Sequence, residues 1–309
     1  MRILALVPGG IGEQIYFFPT LETLHSKYPN AKIDVLVEPR AKKAYRVCQY
    51  VSDVLQFDYQ DRSSMADYLN LLGVIRDREY DVVISYNAPW AVEFVLWLNG
   101  IPTRIGEQNN NSWLFSQSVS LQKEQYEPHI YHDLLEGLGI KAQCPPVKVN
   151  VPQKDIDWAE SRQKLLDLKD GYILLDGVAE TYPIASWQKI IADIQEKQPE
   201  IPILLLQTEE IDFWVGAMMN ANSQLKVIAP SDIGKMAAMI AGANLFITSD
   251  RNTLALAVAV GTYTVALIDS VDTNQQWLPE DDNYIGVYST SQKIADIPAE
   301  NVLSKIWGS

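Results

Sequence analysis

Cysteine and histidine are nearly missing from this chain, with two and three residues respectively in 309. Cys48 and Cys144 are too few for a disulfide framework, and no zinc-ligand spacing of Cys and His occurs. Long apolar runs are absent too; none reaches the roughly 18 uninterrupted apolar residues of a membrane span. No basic leader with a cleavage site precedes the first strand-like run, so a signal peptide is not expected and a cytosolic location is. Positive charge is scarce: 25 Lys and Arg stand against 39 Asp and Glu, for a net charge of −14. Duplex nucleic acid and anionic membranes are therefore poor general partners, because both need a cationic footprint. The one cationic run, Arg40-Ala41-Lys42-Lys43-Ala44-Tyr45-Arg46, reads as a solvated helix face. There is no nucleophile elbow, no Ser/His/Asp ordering and no Walker-type lysine loop.

What the chain does have is apolar residues in a repeated pattern. At 47% hydrophobic content and 309 residues it can fill two packed cores, about two domains by length. In the first half, strand candidates at 2–7, 31–37, 53–57, 81–85 and 103–105 alternate with helix candidates at 12–26, 40–48, 64–78, 89–98 and 129–138. That rotation predicts an α/β fold with a doubly wound parallel sheet. Leu69, Leu72, Val74 and Ile75 are expected on the buried side of the third helix. Segment 107–128 breaks the rhythm and is expected to be a loop with a short hairpin on the sheet rim.

Cys144-Pro145-Pro146 can continue neither a helix nor a strand, which puts a domain boundary near 141–153. The expected division is an N-terminal Rossmann-like domain at 1–150 and a C-terminal one at 151–309. The second half restarts with the strand Tyr172-Ile173-Leu174-Leu175-Asp176-Gly177. Strands follow at 201–207, 225–229, 244–248, 263–268 and 284–288, with helices at 185–197, 209–220, 232–242 and 252–260. A last helix at 299–307 can pack on either domain.

Parallel sheets bind ligands beyond the carboxyl ends of their strands, and two such sheets facing each other make a cleft. The segments expected there are 8–13, 176–187, 248–253 and 268–274. Pro8-Gly9-Gly10-Ile11-Gly12-Glu13 is a glycine loop between a strand and a helix, which brings backbone N–H groups towards a ligand. As a dinucleotide fingerprint it is incomplete, because Ile15 holds the third glycine position; a dehydrogenase using Glu38 on a ribose hydroxyl is the weaker reading. Glu13 lies in the first helical turn, where the macrodipole favours its anion. It is a candidate proton acceptor from a hydroxyl, or simply a partner of the dipole. His129 and His132 at i, i+3 and the Asp155-Ile156-Asp157 run have no supporting ligands, so neither a metal nor a cofactor is expected.

The opening Met1-Arg2-Ile3-Leu4 and the glycine loop, together with Tyr28–Val37, Tyr80–Ile84, Arg104-Ile105-Gly106, Ala241–Ile247 and Ala259–Leu267, resemble glycosyltransferase family nine. These are the ADP-heptose:lipopolysaccharide heptosyltransferases, and the resemblance keeps register almost end to end. It implies a GT-B fold whose C-terminal domain binds mainly the donor and whose N-terminal domain binds mainly the acceptor. It also implies inverting, metal-independent transfer from a nucleotide-diphosphate sugar to a glycan or lipid-linked acceptor. Glu13 stands where the family has its aspartate general base. The candidate donor-binding residues are Gly10, Gly12, Trp187, Ser249, Asp250, Arg251 and Thr253.

The chain departs from the family pattern at the donor side. The Asp-Ser-Gly-Pro-x-His loop reads Asp250-Arg251-Asn252-Thr253-Leu254-Ala255, and the lysine before tryptophan is Ala185. A Phe-Gly-Pro turn has become Ile268-Asp269-Ser270, which adds a carboxylate where a diphosphate would lie. Two expectations follow. Either Arg251 replaces the lost lysine in gripping phosphate, or the chain is a non-catalytic relative that binds another protein.

Overall fold

The computed structural model describes residues 1–59, 61, 64–168, 171–178, 181–208, 212–269 and 277–308. The chain divides into two compact units, Met1–Asn150 and Val151–Ser309. The first unit runs β1 (Arg2–Leu6), α1 (Ile11–Lys27), β2 (Lys32–Val37), a 3-10 helix at Pro39–Val47, β3 (Asp53–Gln56) and α2 (Met65–Arg76). It continues with β4 (Val82–Ser85), α3 (Trp90–Leu98), β5 (Thr103–Glu107), β6 (Gln117–Val119) and α4 (Glu127–Asp133). Its sheet is six-stranded, in the order β3-β2-β1-β4-β5-β6, and every pairing is parallel. β1, β2 and β4 are apolar almost without interruption because both faces of a parallel sheet are covered.

Two local expectations need correction. Segment 107–128 contains no hairpin: β6 lies parallel to β5, with Ile105 opposite Gln117. Arg104 turns the connection back, its Nε donating to the Leu114 carbonyl at 2.8 Å and its guanidinium also to the Ile101 carbonyl. The buried side of α2 is Leu71 and Ile75, whereas Leu69 and Val74 are exposed. The cationic run is a 3-10 helix that buries Ala41, Ala44, Tyr45 and Val47 and leaves Arg40, Lys42, Lys43 and Arg46 facing solvent.

The second unit runs α5 (Gln153–Leu165), β7 (Ile173–Asp176), α6 (Ile184–Lys197), β8 (Ile203–Leu206), α7 (Phe213–Ala221), β9 (Lys226–Ile228) and α8 (Ile233–Ala241). It ends with β10 (Leu245–Thr248), α9 (Arg251–Val260), β11 (Thr264–Ile268), β12 (Tyr284–Tyr288) and α10 (Ala299–Trp307). Its sheet is six-stranded in the order β12-β11-β10-β7-β8-β9, again with parallel pairings. The last helix packs into this unit's own core: Val302 is buried against α6, and Trp307 Nε1 donates to Asp193 Oδ1 at 2.7 Å. Residues 209–211 of the expected helix, 179–180 of one expected rim segment and 270–274 of another lie outside the described residues.

Candidate functional site

In the first unit the glycine loop follows β1, and Gly10 is the N-cap of α1. Gly9 has φ +130°, and a Cβ there would stand 2.8 Å from Glu13 Cγ, so only glycine lets that side chain fold over the loop. Glu13 Oε2 accepts from the Gly10 amide at 2.8 Å, the one half of a capping box that a glycine N-cap allows. The Gly9 amide donates to Glu38 Oε1 at 3.1 Å, and Glu38 Oε2 also accepts from Arg40 Nε at 2.8 Å. Carboxylates thus occupy two amides that an anionic ligand would use. Glu38 braces the loop, which is not the exposed position a ribose contact would need.

Around Glu13 stand aromatic hydroxyls. Tyr131 packs edge-on against Tyr86, with ring centroids 5.0 Å apart, and donates to Glu127 Oε1. Burial, then the charges of Glu127 and Glu13, push the Tyr131 phenol well above its usual range. On α3, Glu93 is buried and its carboxyl is pushed up to about 7; burial is the main cause, Glu107 adds to it, and a hydrogen bond with Asn111 opposes it. His132 is likewise a core residue, its Nε2 3.0 Å from Thr23 Oγ1. No group of three His, Cys, Asp or Glu side chains suited to a metal occurs among the described residues.

In the second unit, β7 ends in Asp176, 1% exposed beneath the start of α9. Thr253 Oγ1 donates to Asp176 Oδ2, and Thr248 Oγ1 does so at 3.2 Å. Burial, and next the Asp250 charge, raise the Asp176 carboxyl above the ordinary carboxylate range, with the two threonine hydroxyls opposing them. Asp250 caps α9: its Oδ1 accepts from the amides of Asn252 at 2.7 Å and Thr253 at 3.0 Å. These first-turn amides are the donors that a phosphate at a helix N-terminus would take.

Arg251 is the cation at this edge, and it is engaged. Its NH2 lies 3.1 and 3.2 Å from the two Asp269 carboxylate oxygens, and its guanidinium carbon sits 4.4 Å from the centroid of the Trp277 ring. The cavity that Asp250, Arg251, Asp269 and Trp277 help to line measures about 40 Å³. A site for a drug-sized ligand needs on the order of 300 Å³ or more. Among the described residues, the cavity's lining carries one cation against two carboxylates.

The expected donor residues therefore have different surroundings. Asp250 and Arg251 stand at the strand ends. Ser249 and Thr253 are buried and bonded internally, Ser249 Oγ accepting from the Val178 amide at 3.3 Å. Trp187 has no exposed surface and packs T-shaped against both Tyr182 and Trp214, at 5.5 and 5.4 Å. Its ring offers a ligand nothing to touch. Gly10 and Gly12 belong to the first unit, at the start of α1. Two residues at the second edge carry no sequence-level signal: Trp277 lies in a stretch without periodicity, and Trp214 covers Gly177 so closely that a Cβ there would meet it at 2.5 Å. Asp176 had one, as an acid closing an otherwise apolar strand.

A sequence model of glycosyltransferase family 9 (heptosyltransferase) matches residues 69–306. The "Photosynthetic NDH subunit of subcomplex B 1, chloroplastic" of Arabidopsis thaliana is 21% identical, over 96% of this chain and 71% of its own. "Lipopolysaccharide heptosyltransferase 3" of Escherichia coli K12 is 22% identical, over 95% of this chain and 93% of its own. Among solved structures, a glycosyl transferase family 9 protein from Veillonella parvula DSM 2008 superposes with a TM-score of 0.80 at 14% identity. That superposition covers 99% of this chain and 96% of the other, and it shows the fold.

Proposed function

The chain belongs to glycosyltransferase family 9, and from that premise we propose that it is a member without sugar transfer, serving as a protein-binding subunit. The observation that carries this reading is the closed donor edge, where Arg251 is held by Asp269 and Trp277 over a cavity of about 40 Å³. A diphosphate entering there would have to displace Asp269 from Arg251, the one cation among the described lining residues, and would meet Asp250 besides. The helix amides that would compensate are already bonded to Asp250. The plant relative, matched over 96% of this chain, bears the name of a subunit. No described helix is long and apolar enough to cross a membrane, and a cytosolic location goes with the proposal.

Thermal unfolding in millimolar ADP-, GDP- and UDP-sugars tests it, because a ligand that prefers the folded state raises the midpoint. The expected result is an unchanged midpoint with all three; a concentration-dependent rise with any of them overturns the proposal.

A second reading has one observation in its favour: Glu13 follows an intact glycine loop and keeps Oε1 outside its cap bond. In that reading the chain is an inverting, metal-independent transferase acting on a glycan or lipid-linked acceptor. Glu13 is its general base, and Arg251 leaves Asp269 to hold the nucleotide-diphosphate donor. Sugar transfer that falls about 100-fold or more in Glu13→Gln would establish it.

A further inference from the structure

The outer face of the first unit carries an apolar groove that neither reading of the donor edge uses. α2 and α3 lie side by side, and between them runs a groove of about 310 Å³. Met65, Leu69 and Leu72 line it from α2, at i, i+4 and i+7; Trp90, Phe94 and Leu98 line it from α3, at i, i+4 and i+8. Among the described residues, no charged side chain lines it. Met65 is 76% exposed and Trp90 65%, so this is open surface with no cover from the core.

The helices themselves show that something is missing. α2 already buries Leu71 and Ile75 in the core beneath it, so its groove side is a second apolar face. α3 reads Trp-Ala-Val-Glu-Phe-Val-Leu-Trp-Leu, and its single charged residue, Glu93, points inward and is buried. A helix that is apolar all round is ordinarily covered all round. Exposed apolar area of this kind on a soluble surface marks an interaction site. The aromatic strip runs further along the same helix, from Phe94 stacked on Trp97 to Trp97 edge-on to Trp113.

We propose that the α2–α3 groove docks the apolar face of an amphipathic helix from a partner protein. Its shape and charge select this occupant. The groove is concave and uncharged, so it accepts a convex ridge of aliphatic side chains, which a helix with apolar residues at i, i+4 and i+7 supplies. A bilayer is flat, and among the described residues the groove lining has no Lys or Arg with which to hold anionic headgroups. A second copy would set one concave face against another and bring together two chains of net charge −14 each. The lining residues run from Met65 to Leu72 on α2 and from Trp90 to Leu98 on α3, about 11–12 Å, or two turns of a docked helix. The biological sense of this docking rests on the subunit reading, but its test involves no nucleotide and can fail separately.

The probe is a synthetic 15-residue peptide of zero net charge, with Leu along one helical face and Glu and Lys on the other. A scrambled peptide of the same composition is the control. Binding to the full chain is read by tryptophan fluorescence, and peptide helicity by circular dichroism. The expected result is saturable binding with a gain in helicity, at least tenfold weaker in Leu69→Asp and separately in Trp90→Ser, and absent for the scrambled peptide. Both variants should keep the wild-type unfolding midpoint, because both side chains are exposed. No saturable binding to the wild type, or equal affinity in the variants, overturns the proposal. So does binding to phosphatidylcholine vesicles in place of the peptide, or a sedimenting dimer that Leu69→Asp dissolves.

Discussion

Arg251 illustrates how a charge that a sequence offers to a ligand can already have partners in the fold. Its position at the start of α9 made it the natural replacement for a missing lysine, yet Asp269 and Trp277 both hold it. At roughly half exposure, that ion pair contributes little to stability, about 0–1 kcal/mol. Glu93 is the opposite case, a carboxylate that the fold buries on α3. Its folded-state pKa is raised from 4.5 to about 7, so the folded chain binds the proton more tightly than the unfolded chain. The resulting stability is complete below the unfolded value and is lost as pH rises through about 7. Glu93→Gln should remove much of that decline and leave the variant more stable than wild type at pH 8, by about 1–2 kcal/mol. Urea unfolding at pH 5 and pH 8 checks this, and an equal or larger pH dependence in the variant contradicts it.

At the scale of elements, strands were more legible than helix faces. β1, β4, β7, β8 and β10 are short, nearly unbroken apolar runs, and a parallel sheet covered on both sides imposes that pattern directly. Part of the face of α2 was misread because Leu69 and Val74 are as apolar as Leu71 and Ile75, so periodicity alone could not choose between two apolar sides. β6 was misread because the direction of its pairing with β5 is a tertiary feature, accompanied by contacts such as Arg104 Nε to the Leu114 carbonyl across the connection. Of the candidate site, the glycine loop, Glu13 and the Asp250 cap were visible as strand-end motifs. The closing of the edge was not, since it depends on Trp277 and on side-chain pairing. Trp187 holds α6 against α7 through Trp214, at the centre of the second unit's core. Trp187→Ala should therefore cost about 3–5 kcal/mol in chemical denaturation. A loss under 1 kcal/mol would place the ring outside that packing.

Across the whole molecule, two Rossmann-like units of the GT-B type persist while the chemistry at one sheet edge has changed. Six parallel strands in each unit need only apolar runs and turn residues, which tolerate wide sequence drift. Diphosphate binding needs particular cations and free amides, so the proposed loss of it would take only a few substitutions. With a net charge of −14, the chain also has little general attraction for a polyanion that local groups do not hold. The most direct measurement is isothermal titration of ADP, and of ADP-, GDP- and UDP-sugars, into the full chain at neutral pH and low salt. The closed donor edge predicts no saturable heat up to millimolar ligand. A one-site isotherm with a micromolar dissociation constant, abolished in Arg251→Ala, would contradict it.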